Sequence, residues 1–198
     1  MKNFFCNVAW MLGLMFLPIS NLWSQGFTCS SPLPITCGAT VTGSTIGVTN
    51  DIISSGAPTC ITTVGTAGQI WYAFTAPGVG TCTINTENTN PAWDTKLHVY
   101  TGTCGNLNCV TGDDDSGTGL LSTVTFAMTT GTVYLIRVGG FAANSGAYTL
   151  NVICDIPTIG CTDPGACNFS PSVITDDGSC EYTSCAGCTD VAACNFDD

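Results

Sequence analysis

Three Lys or Arg against fourteen Asp or Glu in 198 residues give a formal net charge of -11. Lys2, Lys96 and Arg137 cannot assemble a basic surface, which excludes nucleic acid and anionic membranes as partners. Charged residues are only 9% of the chain, while Gly, Thr and Ser abound and Val, Ile and aromatics recur among them, so the sequence is a hydroxyl-rich folding one rather than an acidic disordered tail.

At the N-terminus Lys2 precedes an apolar run from Val8 to Leu17, a breaker from Pro18 to Asn21, and Leu22-Trp23-Ser24 ahead of Gln25. That order predicts a cleaved export signal over residues 1–24. The run is shorter than the roughly 20 residues of a membrane span, and no membrane insertion is expected after cleavage. The chain's 14 cysteines fit export, because an oxidising compartment converts them to disulfides without metals or catalysis. Cys6 falls in the signal, so the mature chain keeps an odd number. Gly-Phe-Thr ahead of Cys29 is not the small-residue pattern of a lipid-modified cysteine.

From Gly26 to Thr66 the chain is loop-rich, with Cys29, Cys37 and Cys60 and one strand around Thr40 to Ile46. Gln69 to Thr75 carries aromatic and aliphatic residues on both faces, the mark of an inner strand. Further strands follow at Thr81 to Thr86, Ser122 to Met128, Thr132 to Val138 and Ala147 to Val152, separated by turns containing Gly or Asn. Between them, Trp93 to Gly119 organises the domain. Leu97, Val99 and Thr101 alternate with His98 and Tyr100 until Gly102 breaks the strand; Cys104 and Cys109 are placed to close a small loop, worth about 2 kcal/mol by chain entropy. Asp113, Asp114 and Asp115 then form an acidic turn. No segment shows a 3.6-residue apolar period, so residues 25–154 are expected to be all-β, an antiparallel β-sandwich or jelly roll.

Residues 155–160 read as a linker. Beyond it, Gly160-Cys-Thr-Asp-Pro-Gly-Ala-Cys-Asn-Phe recurs as Gly187-Cys-Thr-Asp-Val-Ala-Ala-Cys-Asn-Phe, a period of 27 residues from Cys161 to Cys188. Residues 161–198 are therefore a small disulfide-rich repeat tail, with Cys161, Cys167, Cys180 and Cys185 as disulfide candidates. The second copy is incomplete, and the reading expects a piece of a longer protein. Cys185-Ala-Gly-Cys188 is the junction of two repeats rather than a redox or zinc motif.

Trp71-Tyr72-Ala73-Phe74, Asp94-Thr95 with Leu97 to Cys104, Asp113 to Asp115, Tyr134 to Gly140 and Ser145 to Leu150 together resemble the bacterial pre-peptidase C-terminal domain, over roughly Gln69 to Val152. The resemblance implies a β-sandwich appended to secreted hydrolases, serving attachment or folding rather than catalysis. More distantly, the Val-Tyr-x-Gly-x-Cys strand end is similar to CUB domains. The tail resembles short Cys-rich repeats of modular surface proteins of gram-negative bacteria, which implies secretion or cell-surface display.

Clustered carboxylates suit calcium, which takes six to eight hard oxygens. The candidate ligands are Asp113, Asp114 and Asp115, with Asp94 and Glu87 from neighbouring segments; no EF-hand fits, since Gly117 stands where an oxygen ligand is needed. The alternative is a solvated turn. Trp93, beside Pro91 in a loop, is the candidate for stacking on a ligand sugar, against the simpler role of packing. His98 is the single histidine and has no Gly-x-Ser-x-Gly elbow or second histidine to join it, so no catalytic residue is assigned and the chain is expected not to be an enzyme.

The reading is a secreted, non-catalytic attachment or spacer module of a larger extracellular or cell-surface protein, with calcium as its possible cofactor and extracellular carbohydrate or protein matrix as the expected partner. An alternative is the N-terminal accessory domain of a secreted, peptidase-like hydrolase. A third is a purely structural surface protein.

Overall fold

The computed structural model describes residues 26–51 and 57–184. The predicted signal, the second repeat copy and Cys185 lie outside the described residues. Among these there is no helix, and two sheets form a sandwich. Strands β1 (Leu33–Ile35), β3 (Ile70–Thr75), β8 (Val133–Gly140), β5 (Thr95–Thr103) and β6 (Asn106–Asp113) make one sheet in that spatial order. The other runs β2 (Thr40–Ser44), β9 (Ala147–Asp155), β4 (Gly80–Asn85), β7 (Thr123–Met128). All pairings in both sheets are antiparallel except β1 on β3.

Period-two alternation decides what each strand buries. On β5, Leu97 and Val99 point between the sheets and meet Phe74, Ile136, Ile84 and Leu150 in one apolar core. At its centre Tyr72 and Tyr148 share a hydrogen bond of 2.7 Å between hydroxyls, so neither leaves a buried polar group unpaired. Lys96, His98 and Tyr100 face the other way, and they too are buried. The cause is a strap, residues 57–69, laid across the outer face of the five-stranded sheet. The Tyr100 hydroxyl donates to Pro58 O (3.1 Å) and Lys96 Nζ to Thr63 O (3.0 Å). Beneath the strap Trp71, Tyr100, Leu107 and Leu135 form a second apolar cluster with Cys29 and Cys60.

Two sequence expectations are corrected here. The segment after Gly102 is a strand, β6, and the hairpin turns at Cys104-Gly105. Gly102 does not end β5, which continues to Thr103; its φ of 96° and the closeness of Asn106 O leave no room for a Cβ. Cys104 and Cys109 do not pair with each other. Cys109 sits opposite Tyr100 in the β5–β6 register, on the face that meets the strap, and bonds Cys60; Cys104, at the hairpin tip, bonds Cys29. Cys37–Cys154 ties the β1–β2 connection to the end of β9, and Cys161–Cys180 closes the first tail repeat. Cys167 is also disulfide-bonded. Cys82, on β4, is a buried free thiol. The odd cysteine of the sandwich is thus a core residue, not a product of the incomplete repeat.

Among the described residues the tail has no apolar cluster of its own and is shaped by short polar turns. Strands β10 (Ile159–Gly160) and β11 (Thr175–Asp176) pair in parallel. Asn168 Nδ2 donates to Ser179 O (2.7 Å), while Asn168 Oδ1 accepts from Glu181 N (2.9 Å). Asp163, Asp176 and Asp177 each accept a backbone N–H two residues on. Asp163 and Asn168, which both recur in the motif as Asp190 and Asn195, are among the residues that close these turns.

Candidate functional site

The acidic turn between β6 and β7 is held down by hydroxyls. Thr86 Oγ1 and Thr95 Oγ1 lie 2.7 Å apart, both accept from Ser122 N, and Ser122 Oγ makes close contacts to the carbonyls of Thr95 and Asp114. Asp113 is spent inside the turn: its Oδ2 accepts from Ser116 N and Thr123 N, each at 2.9 Å, and its Oδ1 from Ser116 Oγ at 2.6 Å. Glu87 latches the turn from the β4 side, its Oε1 accepting from Thr118 N at 2.7 Å.

Of the five acidic residues expected together, Asp94, Asp114 and Asp115 converge, with one oxygen from each within 4.8 Å of the others. Two oxygens on opposite sides of a calcium ion are separated by about 5 Å at most, twice a bond of 2.3–2.6 Å, so one cation can touch all three. Asp113 and Glu87 position the turn instead. Asp94 is placed by its neighbours: its carbonyl accepts from Phe141 N (3.1 Å), and the preceding Trp93 lies on the backbone of Gly140 and Gly146, where a Cβ would overlap the indole. Trp93 Nε1 donates to Ala147 O at 2.7 Å. This side chain anchors the start of β5.

The electrostatics of the cluster are unbalanced. Lys96 Nζ lies 3.1 Å from Asp114 Oδ2 and 4.9 Å from the Phe141 ring centre, one cation for three carboxylates. Asp94 Oδ1 and Asp114 Oδ1 are enclosed without a hydrogen-bond partner, an arrangement that costs free energy unless a proton or cation meets them. Burial, with the charges of Asp114 and Asp115, raises the Asp94 pKa, against the opposing pull of Lys96.

His98 lies elsewhere and is fully buried. Arg137 Nη1 is 3.3 Å from His98 Nδ1; a guanidinium only donates, so Nδ1 accepts and the proton sits on Nε2, which donates to Thr62 O (3.3 Å) and has Thr62 Oγ1 at 3.1 Å. Arg137 Nη2 donates to Gln69 Oε1 (2.7 Å), and Gln69 Nε2 to Asn50 Oδ1 (3.1 Å). Burial, together with the charges of Arg137 and Lys96, pushes the His98 pKa down to about 3. This layer holds the strap. Sequence reasoning missed it because Asn50, Thr62 and Gln69 give no local sign that they meet His98 and Arg137.

Fold and disulfides together define an extracytoplasmic, disulfide-stapled β-sandwich with an acidic cluster able to receive a metal ion. No family model and no curated protein matches the chain. Among solved structures it is similar to the pre-peptidase C-terminal domain of a collagenase from Bacillus anthracis, at 15% identity and a TM-score of 0.41, over 61% of this chain and 93% of that one. It is similar also to PliG of Aeromonas hydrophila, a periplasmic inhibitor of g-type lysozyme, at 15% identity and a TM-score of 0.42, over 66% and 98%.

Proposed function

We propose that the chain is a secreted, non-catalytic attachment module of a larger cell-surface protein, in which calcium bound by Asp94, Asp114 and Asp115 rigidifies the face formed by the acidic turn and the start of β5. The tail repeats space this module from the surface. The observation that carries the reading is the pair of enclosed, unpartnered oxygens on Asp94 and Asp114 within a three-carboxylate cluster. Three ligating residues leave coordination places for water and backbone oxygens, and Lys96 competes for Asp114, so the affinity belongs to the weak extracellular range of roughly 0.1–1 mM. His98 and Arg137 support the non-catalytic role, since His98 Nε2 and Arg137 Nη2 hold the strap and Nδ1 and Nη1 bond each other.

Thermal unfolding with calcium and with a chelator tests the cation. Ligand at about 100 times Kd should stabilise the fold by about 2.7 kcal/mol, and Asp94→Asn with Asp114→Asn should abolish the calcium-dependent rise while leaving a folded protein. An equal midpoint in calcium and chelator for the unaltered chain would sink the metal assignment.

A further inference from the structure

On the outer face of the four-stranded sheet the exposed positions of β2, β4 and β7 are Thr or Ser apart from Ala127, and β9 adds Ala147, Ile153 and Asp155. Over β9 this face holds an open groove of about 490 Å³ floored by Thr40, Asn85 and Asn151 and rimmed by Glu87 and Asn88, a volume usual for small-molecule sites. Its floor is an oriented chain of hydrogen bonds. Thr40 Oγ1 donates to Asn151 Oδ1 (2.9 Å), and Asn151 Nδ2 donates to Glu87 O (3.1 Å) and Asn85 Oδ1 (2.8 Å). Because the Glu87 carbonyl can only accept, it fixes which way the Asn151 amide points, and Asn151 in turn fixes Asn85.

Asn85 Oδ1 then accepts twice, from Asn151 Nδ2 and from Glu87 N (3.2 Å). Its Nδ2 is left without a protein acceptor among the described residues, although Asn85 is only 9% exposed. This nitrogen is not one of the fully enclosed unpaired atoms, so it keeps contact with solvent, and Asn85 lines the groove. A buried donor in that position requires an acceptor from solvent or ligand. Ile153 and the Cys37–Cys154 disulfide supply an apolar wall beside the amides.

We propose that this groove binds a neutral saccharide, with Asn85 Nδ2 donating to a ring hydroxyl, the exposed Asn88 amide reaching a neighbouring one, and the aliphatic wall meeting the C–H face. The inference rests on the attachment reading and gives it a ligand class. Charge selects neutrality: Lys96 and Arg137 are buried under the strap on the other sheet, so this face offers no cation to hold a phosphate, sulfate or uronate.

The test is an NMR titration of the ¹⁵N-labelled full chain with cellotriose, maltotriose and chitotriose, and with trigalacturonate as the charged control. The expected result is a saturable shift of the Asn85 and Asn88 side-chain amides with at least one neutral trisaccharide and none with trigalacturonate. Asn85→Asp keeps the acceptor toward Asn151 and Glu87 and replaces the donor with a carboxylate oxygen; it should weaken binding at least ~10-fold, the loss expected for about 1.4 kcal/mol. Asn88→Gly, which tolerates the φ of 67° at this exposed position, guards against misfolding and should weaken it several-fold. Unmoved Asn85 and Asn88 amides with every neutral probe, or both variants binding like the unaltered chain, would overturn the proposal. Retention on insoluble extracellular polysaccharide separates the two readings: equal retention of Asn85→Asp and unaltered chain overturns the groove and keeps attachment, whereas no retention of the unaltered chain overturns both.

Discussion

His98 shows what burial does to a residue whose type suggests chemistry. Its neutral ring accepts from Arg137 and donates to the strap, and protonation would put a second cation beside the guanidinium in a site without solvent. The folded-state pKa of about 3 lies below the ordinary 6.5, so as pH falls below 6.5 the unfolded chain takes up a proton that the folded chain refuses. Stability from this group is therefore complete above 6.5 and lost progressively toward 3, with a slope of up to about 1.4 kcal/mol per pH unit. Urea unfolding between pH 4 and 7 should show that slope in the unaltered chain and a shallower one in His98→Gln, which has no such proton to gain. Equal slopes would mean that His98 is already solvated. Cys82 makes a related point: burial raises its thiol pKa to about 11, so this free cysteine is an unreactive core residue.

The β5–β6 hairpin marks how far the sequence could be read at the scale of elements. Alternation of Leu97, Val99 and Thr101 with His98 and Tyr100 was enough to place β5 and its two faces, the same pattern placed β4, β7 and β9, and β3 was placed by apolar residues on both faces. In β6 the pattern is masked. It is an edge strand with Asn106, Asn108 and Gly112, residues of low β-propensity, and the register slips by one at Val110, between the partners of Val99 and Tyr100. The strap has no period at all, because what it offers the sheet is backbone carbonyls and a cystine. For the acidic cluster, the residue types were visible but the division of labour was not: Asp113 and Glu87 differ from Asp94 and Asp114 only in which backbone N–H groups the fold brings to them. The pairing error has an energetic consequence. Cys60–Cys109 spans 49 residues of sequence, and by the chain-entropy model such a bond is worth about 4 kcal/mol, twice the local loop. Replacing Cys60 and Cys109 together by Ser should lower the urea midpoint accordingly, with Trp71 fluorescence shifting as the strap loosens. A loss well below 1 kcal/mol would show that the strap is held by its polar contacts alone.

Over the whole molecule, the two cations beyond residue 25, Lys96 and Arg137, are both buried, at 2% and 0% exposure, so the surface presents carboxylates and hydroxyls and no basic side chain. A surface of that kind concentrates divalent cations around the fold and repels anions, the setting in which a weak calcium site and a neutral-ligand groove can coexist. The molecule also divides by the source of its stability. The sandwich has two apolar clusters, so that even with its disulfides reduced unfolding would still have to expose Phe74, Ile84 and Leu150. In the described tail the buried residues are Cys161 and Ala166, and its turn hydrogen bonds are exposed to competing water. Disulfides, Cys161–Cys180 and the one made by Cys167, therefore hold the tail. Hydrogen exchange under rising reductant should strip protection from residues 161–184 while the amides of β3, β4, β8 and β9 stay protected. Simultaneous loss in both would mean that the tail is an integral layer of the sandwich, and a spacer role for it would have to be given up.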